Sequence, residues 1–283
     1  MAYITERYRS IESLMRTLDS RNGKNNPAMQ GNDSSKTVTK RFCGTKDYDE
    51  AVELITKGWT EKLDEIKKGF DKAVRVNTNT TQSRPRPTMG IVGYAACVPN
   101  AILGLPNSMI ATERVAQKVK AVTIVYNSSV SAGWSTNDMI ECGITVMKLV
   151  NKLELDGYRV RLTAEPIATT SGSDLAQCLV DLKDWRQPLD LTKLAFPMIH
   201  PSMLRRIMFR WLETVPNLTN RGFSGRYGTP KSLEDYEKVV KEYKEERKCL
   251  GDNDYYLTAY MVKDEKHDID RIMKRAGMSA LAK

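Results

Sequence analysis

A chain of 283 residues is long enough for one large α/β domain, or for a core with a smaller appendage. Its 44 Lys and Arg against 35 Asp and Glu leave a net charge of +9, which favours solubility and attraction to anionic partners without selecting nucleic acid among them. No apolar run approaches the roughly 20 residues of a membrane span, and Met1 to Arg7 lacks the basic and apolar regions of a secretory signal.

The cysteines (Cys43, Cys97, Cys142, Cys178, Cys249) are odd in number, scattered, and never spaced Cys-x-x-Cys, which points to reduced thiols in a cytosolic compartment. His200 and His267 are the only histidines, too few for an ordinary zinc set. In chain order, residues 3–18 are amphipathic at helical spacing, with Ile11, Leu14, Met15 and Leu18 on one side. Residues 21–36 are rich in Gly, Asn and Ser and read as a mobile loop. Asp47 is placed to cap a helix through Ile55, closed by Gly58, and residues 59–74 continue as a second charged helix. Residues 1–75 are therefore expected to form an N-terminal helical appendage. Residues 76–89 read as an extended linker in which Pro85 and Pro87 exclude helix. The core is expected over residues 90–283. It opens with an apolar segment, 90–109, whose Gly90, Gly93 and Gly104 do not fit a nucleotide loop and which reads as turns and a short helix capping the core.

The central pattern is strand, turn, helix, strand. Residues 121–126 form an apolar run of the kind buried on both faces of a sheet, and a polar turn follows over 127–133. Ser135 and Asp138 then resemble a capping box at the head of a helix of about five turns. Met139, Ile140, Ile144, Met147, Val150 and Leu153 make its apolar stripe, with Gly143 allowing close packing on the sheet. Gly157 ends the helix, and Tyr158, Val160, Leu162 and Ala164 alternate with Arg159, Arg161 and Thr163 in a second strand with one more exposed face. This is a βαβ unit, and its turn lies where open α/β sheets bind ligands. Residues 165–174 read as a polar loop and 175–182 as a third strand. Residues 201–214 read as a helix with Leu204, Ile207, Met208 and Trp211 on a core face and Arg205, Arg206 and Arg210 on a basic one. A loop over 222–230, a charged helix over 232–247, a last strand over 255–262 and a helix over 268–277 complete the chain.

Asn127, Ser129 and Ser131, between a buried strand and a long helix, resemble the metal-site loop of von Willebrand factor A-type domains, where the strand ends in Asp-x-Ser-x-Ser. The resemblance implies an α/β, Rossmann-like, von Willebrand factor A-like fold, a mostly parallel sheet flanked by helices, here with the N-terminal helical appendage. It also implies Mg²⁺ or Ca²⁺ at Asn127, Ser129 and Ser131, with a further hydroxyl from Thr169 or Thr170 and an acidic group from Asp254 or Asp264. Asn127 replaces the family's aspartate and removes a formal charge from a hard-cation site, so the site is degenerate. The competing reading, that these residues stabilise the turn and cap backbone groups without metal, is the favoured one. From about residue 42 to the C-terminus the chain is also similar to uncharacterised tailed-phage proteins. The likeness rests on Gly44, Thr45, Tyr48 and Ala51, on Gly104, Leu105, Pro106 and Met109, and on Gly157 to Val160. It implies a protein acting in the host cytoplasm and brings no established activity.

Three functions compete. The leading one is a non-enzymatic phage binding or assembly protein, with a protein partner or self-association, no cofactor beyond the Mg²⁺ or Ca²⁺ option, and no membrane. Its surface would be the rim loops carrying Asn127, Ser129, Ser131, Ser135, Thr169 and Thr170. The second is nucleic-acid binding through Arg205, Arg206, Arg210, Arg226 and Tyr227, contacting phosphates and stacking on bases. The third is a hydrolase drawing on Ser128, Ser129 or Ser131 with His200 and Asp184 or Asp190, although Gly-x-Ser-x-Gly is absent.

Overall fold

The computed structural model describes residues 3–21, 40–61, 63–68, 83–116, 120–171, 174–216, 218, 227–230 and 254–281. The chain opens with strand β1 (Tyr3–Tyr8), where a helix was expected from residue 3. Tyr3, Ile4, Thr5 and Tyr8 are β-formers, and the period of two across Ile4, Glu6 and Tyr8 prevails up to Ser10. Ser10 then starts α1 (Ile11–Ser20) through a reciprocal capping box with Ser13, and Leu14 and Leu18 are buried. After α2 (Lys40–Cys43), helix α3 (Tyr48–Lys57) begins at Asp47, which accepts from the Glu50 N–H, and ends at Gly58 with φ 88°. The second charged helix is α4 (Leu63–Lys68) among the described residues. The loop expected over 21–36 lies, apart from Arg21, outside them.

Strands β2 (Ser83–Gly90), β3 (Ala95–Ala96) and β4 (Met109–Ala116), with α5 (Val98–Ile102) between the last two, form a three-stranded antiparallel sheet in the order β2-β4-β3. Much of the expected linker is thus a strand, Pro85 pairing with Arg114 and Pro87 with Thr112. Proline forbids helix there but is tolerated on an edge strand. Gly93 is packed on β4, where a Cβ would lie 2.2 Å from the Ile110 carbonyl oxygen. Ile91, Val92, Tyr94, Val98, Ile102 and Leu103 are 62–82% exposed, so the apolar segment read as a cap carries its large side chains on the outside. Val76–Lys120 is one compact unit, and Met1–Arg75 with Ala121–Lys283 is the other, in place of boundaries at 75 and 89.

The larger unit is built on β5 (Lys120–Asn127), α6 (Thr136–Leu155), β6 (Tyr158–Ser171), β7 (Asp174–Lys183), α7 (Leu191–Ile199), a π-helical stretch at Met203–Met208 leading into α8 (Phe209–Thr214), β8 (Thr229–Pro230) and β9 (Asp254–Thr258). Helices Ala259–Asp264 and Ile269–Arg275 follow. The sheet order is β1-β7-β6-β5-β9, with β8 paired to β6. β1 runs parallel to β7 and β5 parallel to β9, while β6 and β7 are antiparallel. The fold is α/β with a mostly parallel sheet and flanking helices. Its N-terminal segment is no appendage: β1 is a strand of the main sheet.

Three further differences concern the core. Of the polar loop expected over 165–174, residues 165–171 are the second half of β6, where β-branched Ile167, Thr169 and Thr170 favour the strand, and Asp174 opens β7. Pro166 is accommodated by a register shift between Ala164 and Ile167. Helix α7 was not anticipated; Asp190 caps it by accepting from the Thr192 and Lys193 N–H groups, and Pro197 lies inside it. The last strand stops at Thr258, because its hydroxyl accepts from the Met261 N–H and starts a helix. The helix expected over 232–247 lies outside the described residues.

One face of the sheet is apolar. Val122, Ile124 and Tyr126, Val160 and Leu162, and Ala176, Cys178 and Val180 join one cluster with Leu149, Val150 and Leu153 of α6, Phe196 of α7 and Trp211 of α8. Gly143 sets the approach of α6 to α7 rather than to the sheet, since a Cβ there would lie 2.4 Å from the Met198 carbonyl oxygen. The other face is largely polar. Thr5 donates to Gln177, and Gln177 and the Tyr256 hydroxyl donate to the fully buried Glu165. Arg7, Arg161 and Thr163 all donate to Asp181. Burial works to raise the Asp181 carboxyl, but its Arg7, Thr163 and Arg161 partners outweigh that and hold it below its ordinary value.

Candidate functional site

The turn after β5 sits at the carboxyl end of a buried strand, as its sequence context requires. Asn127 is buried, and its Oδ1 accepts from the Ser129 N–H at 2.8 Å, closing an Asx-turn. The Ser128 N–H donates to the Glu165 carbonyl oxygen at 3.2 Å, tying the turn to β6. The Ser131 N–H donates to the Tyr260 hydroxyl at 3.0 Å, and the Ser131 carbonyl accepts from Trp134. Trp134 packs edge-on against Tyr260, 4.9 Å between ring centroids, and the Lys263 ammonium lies 4.4 Å from the Trp134 ring. Ser135 caps α6 by accepting from the Asp138 N–H at 3.1 Å. Hydrogen bonds from Lys263 and Ser135 hold the Asp138 carboxyl below its ordinary value. Each predicted rim residue from 127 to 135 therefore belongs to one hydrogen-bonded turn.

The remaining predicted residues are elsewhere. Thr169 is four residues beyond Glu165 on β6, on the order of 13 Å along the strand, and its hydroxyl donates to the Tyr227 and Thr229 carbonyls. The Thr170 side chain and all of Arg226 lie outside the described residues. Asn127 brings no formal charge to a cation site, and its side-chain oxygen accepts from the Ser129 N–H. The nearby Glu165 carboxylate accepts from Gln177 and Tyr256. Among the described residues, no group of three or more His, Cys, Asp or Glu is gathered to hold a metal ion. The cavity beneath the turn, between Tyr126, Val130, Met139 and Met203, measures about 10 Å³, room for one water and no ligand.

Two of the three arginines of the expected basic face, Arg205 and Arg206, are inside the protein, and Arg210 is half-buried. Arg205 is 3% exposed, and its guanidinium donates to the carbonyls of Phe42 at 2.6 Å and Trp134 at 2.8 Å while lying 3.9 Å over the Phe42 ring. Arg206 is fully buried and donates to the carbonyls of Thr45 and Lys46. Both are spent on holding the segment around α2 and the start of α3, and neither reaches a phosphate. Arg210 pairs with Glu213 at 3.7 Å, and Tyr227 stacks on Phe209 while its hydroxyl donates to Glu213. Of the residues read as a nucleic-acid surface, Arg205 and Arg206 are thus buried, while Arg210 and Tyr227 are half-buried. A helical wheel assigns arginine to solvent by default, and nothing in the local pattern marks those that satisfy buried carbonyls.

The hydrolase residues are also apart in role. His200 packs between Trp59 and Phe196, and its Nδ1 accepts from the Ser202 N–H. Asp190 is the cap of α7, and Asp184 accepts from the Arg186 N–H in its own turn. A feature the sequence did not reveal is a groove of about 830 Å³ at the carboxyl ends of β1 and β7, lined in part by Arg9, Glu12, Lys57, Arg161, Asp181 and Lys193. It follows from β1 being a strand, and its central carboxylate, Asp181, is already occupied by Arg7 and Arg161.

The fold and the turn define an α/β protein with a mostly parallel sheet whose strand-end loop is hydrogen-bonded to Glu165 of β6 and to Tyr260. The chain belongs to the family described as Domain of unknown function (DUF7192), which it matches over residues 2–280. No curated protein and no solved structure matches it. No helix among the described residues is long and apolar enough to cross a membrane.

Proposed function

We propose that this chain is a non-enzymatic binding or assembly protein of phage type, working in the host cytoplasm on a von Willebrand factor A-like, Rossmann-like scaffold whose metal site has become structural. The observation that carries the reading is a contrast. The Asn127 side-chain oxygen and the Ser128, Ser129 and Ser131 N–H groups are engaged in holding the strand-end turn, whereas the apolar side chains of residues 91–103 are turned outward. Large exposed apolar surface on a folded protein marks a contact with another molecule. The likeness to tailed-phage proteins at Gly44 to Ala51 and Gly104 to Met109 supports the setting.

The test is affinity purification of the tagged full chain from phage-infected cells, combined with a broad hydrolase screen. A stoichiometric protein partner, or the chain itself, is expected in the eluate, with no turnover. Turnover abolished by Ser129→Ala would overturn the reading.

A further inference from the structure

We infer that the partner is a second copy of this chain, docked through the apolar surface around the β3–α5 turn. This rests on the binding reading above and specifies its occupant. From Pro87 to Thr112 the chain carries no charged residue. Ile91, Val92, Tyr94, Val98, Ile102 and Leu103, at 62–82% exposure, offer on the order of 900 Å² per copy. Two copies meeting through that surface remove at most roughly 1,800 Å² from water, an upper bound that falls within the range of stable, specific interfaces.

Charge at the contact does not oppose a second copy: this segment is the longest uncharged run in the sequence, so two copies meeting through it bring no like charges face to face. A single uncharged patch presented to itself suits an isologous twofold contact. Pairing of sheet edges is disfavoured, because β2 carries Pro85 and Pro87 as well as Arg84 and Arg86 along its length. The contact is therefore made by side chains.

The surface is also held in shape. The Tyr94 N–H donates to the Ile110 carbonyl at 2.9 Å, the Cys97 N–H to the Ser108 carbonyl at 2.7 Å, and the Asn100 side-chain amide to the Asn107 carbonyl at 3.2 Å. Gly93 allows this fold-over by its close approach to Ile110. A preformed surface loses less conformational freedom on docking.

Sedimentation velocity on the full chain, across a dilution series, tests the assignment. The wild type is expected to be dimeric and to dissociate on dilution. Ile91→Lys combined with Ile102→Lys, both at exposed positions, is expected to weaken the dimer at least roughly a hundredfold, with a melting curve that matches the wild type at dilutions where both are monomeric. Cys97, the half-exposed cysteine of this surface, supplies a reading that needs no core-altering variant. In a Cys249→Ser background its maleimide labelling is expected to slow as the protein is concentrated.

A wild type that is monomeric at every concentration overturns the inference, as does a dimer that the double lysine variant leaves equally tight. A monomer that co-sediments with phosphatidylglycerol vesicles would assign the surface to lipid instead. A monomer that captures a different protein, lost in the double variant, overturns self-pairing and leaves the binding reading standing.

Discussion

Arg205 and Trp134 are joined directly: the Arg205 Nη2 donates to the Trp134 carbonyl oxygen at 2.8 Å, and its Nη1 reaches the Phe42 carbonyl. Two features that read as separate surfaces in the sequence, the arginine helix and the strand-end turn, are one packed assembly. Burial pushes the Arg205 guanidinium below its ordinary value, yet its carbonyl partners keep it in place. Arg205→Met is expected to destabilise the protein by about 2–4 kcal/mol, because two carbonyls lose a charge-assisted donor. Urea denaturation measures this. A substitution that leaves stability intact while abolishing salt-dependent DNA binding would show instead that the arginine faces a phosphate.

Magnesium is expected to leave the melting temperature unchanged in the wild type and in Asn127→Asp alike. In both, one side-chain oxygen remains committed to the Ser129 N–H, and the Glu165 carboxylate stays with Gln177 and Tyr256. Asn127→Ala, which has no acceptor, is expected to cost about 1–2 kcal/mol. Differential scanning fluorimetry with and without MgCl₂ checks all three, and a Mg²⁺-dependent rise in the Asp variant would restore the cation site.

Gly143→Ala is expected to destabilise by about 1–3 kcal/mol, since the added Cβ meets backbone at Met198. Backbone in a capped helix yields less than a flexible side chain would. Chemical denaturation provides the number, and an unchanged midpoint would mean that α6 and α7 are not in this contact.

His200 makes the fold acid-sensitive. Burial pushes its imidazole down to about 4, against about 6.5 in the unfolded chain. Between those values a falling pH protonates the unfolded chain first. The stabilisation present above about pH 6.5 is therefore lost progressively as the pH falls toward 4, up to roughly 3 kcal/mol. In His200→Gln this part of the pH dependence is expected to vanish, as followed by urea titrations across that window. An equally steep loss in the variant would assign the effect to other groups.

Legibility from sequence divided along physical lines. Strand β5 and helix α6 were readable because local signals agreed: an unbroken apolar run, Ser135 as cap and Gly157 with φ 89° at the close. The Asn127 turn was placed correctly at the strand end. Its internal bonding was foreshadowed only by residue type, since Tyr260 and Arg205 come from distant parts of the chain. Strand β1 was missed because Ile11 to Leu18 imposed a helical period on a window that Ser10 divides. The second half of β6 was missed because Thr, Ser and Pro suggest a loop, and only pairing with β7 reveals the bulge that accommodates Pro166. Residues 91–103 misled in the opposite sense: apolar composition implies burial, and exposure is a tertiary fact.

Hydrogen–deuterium exchange at low and high protein concentration tests most directly the proposed division of labour, with the partner contact on residues 91–103 and a structural turn at residues 127–135. Peptides covering residues 89–105 are expected to gain protection as the chain is concentrated, while those covering 127–135 stay equally slow throughout. Concentration-independent exchange across 89–105, or fast exchange across 127–135 that slows on adding Mg²⁺, would contradict it.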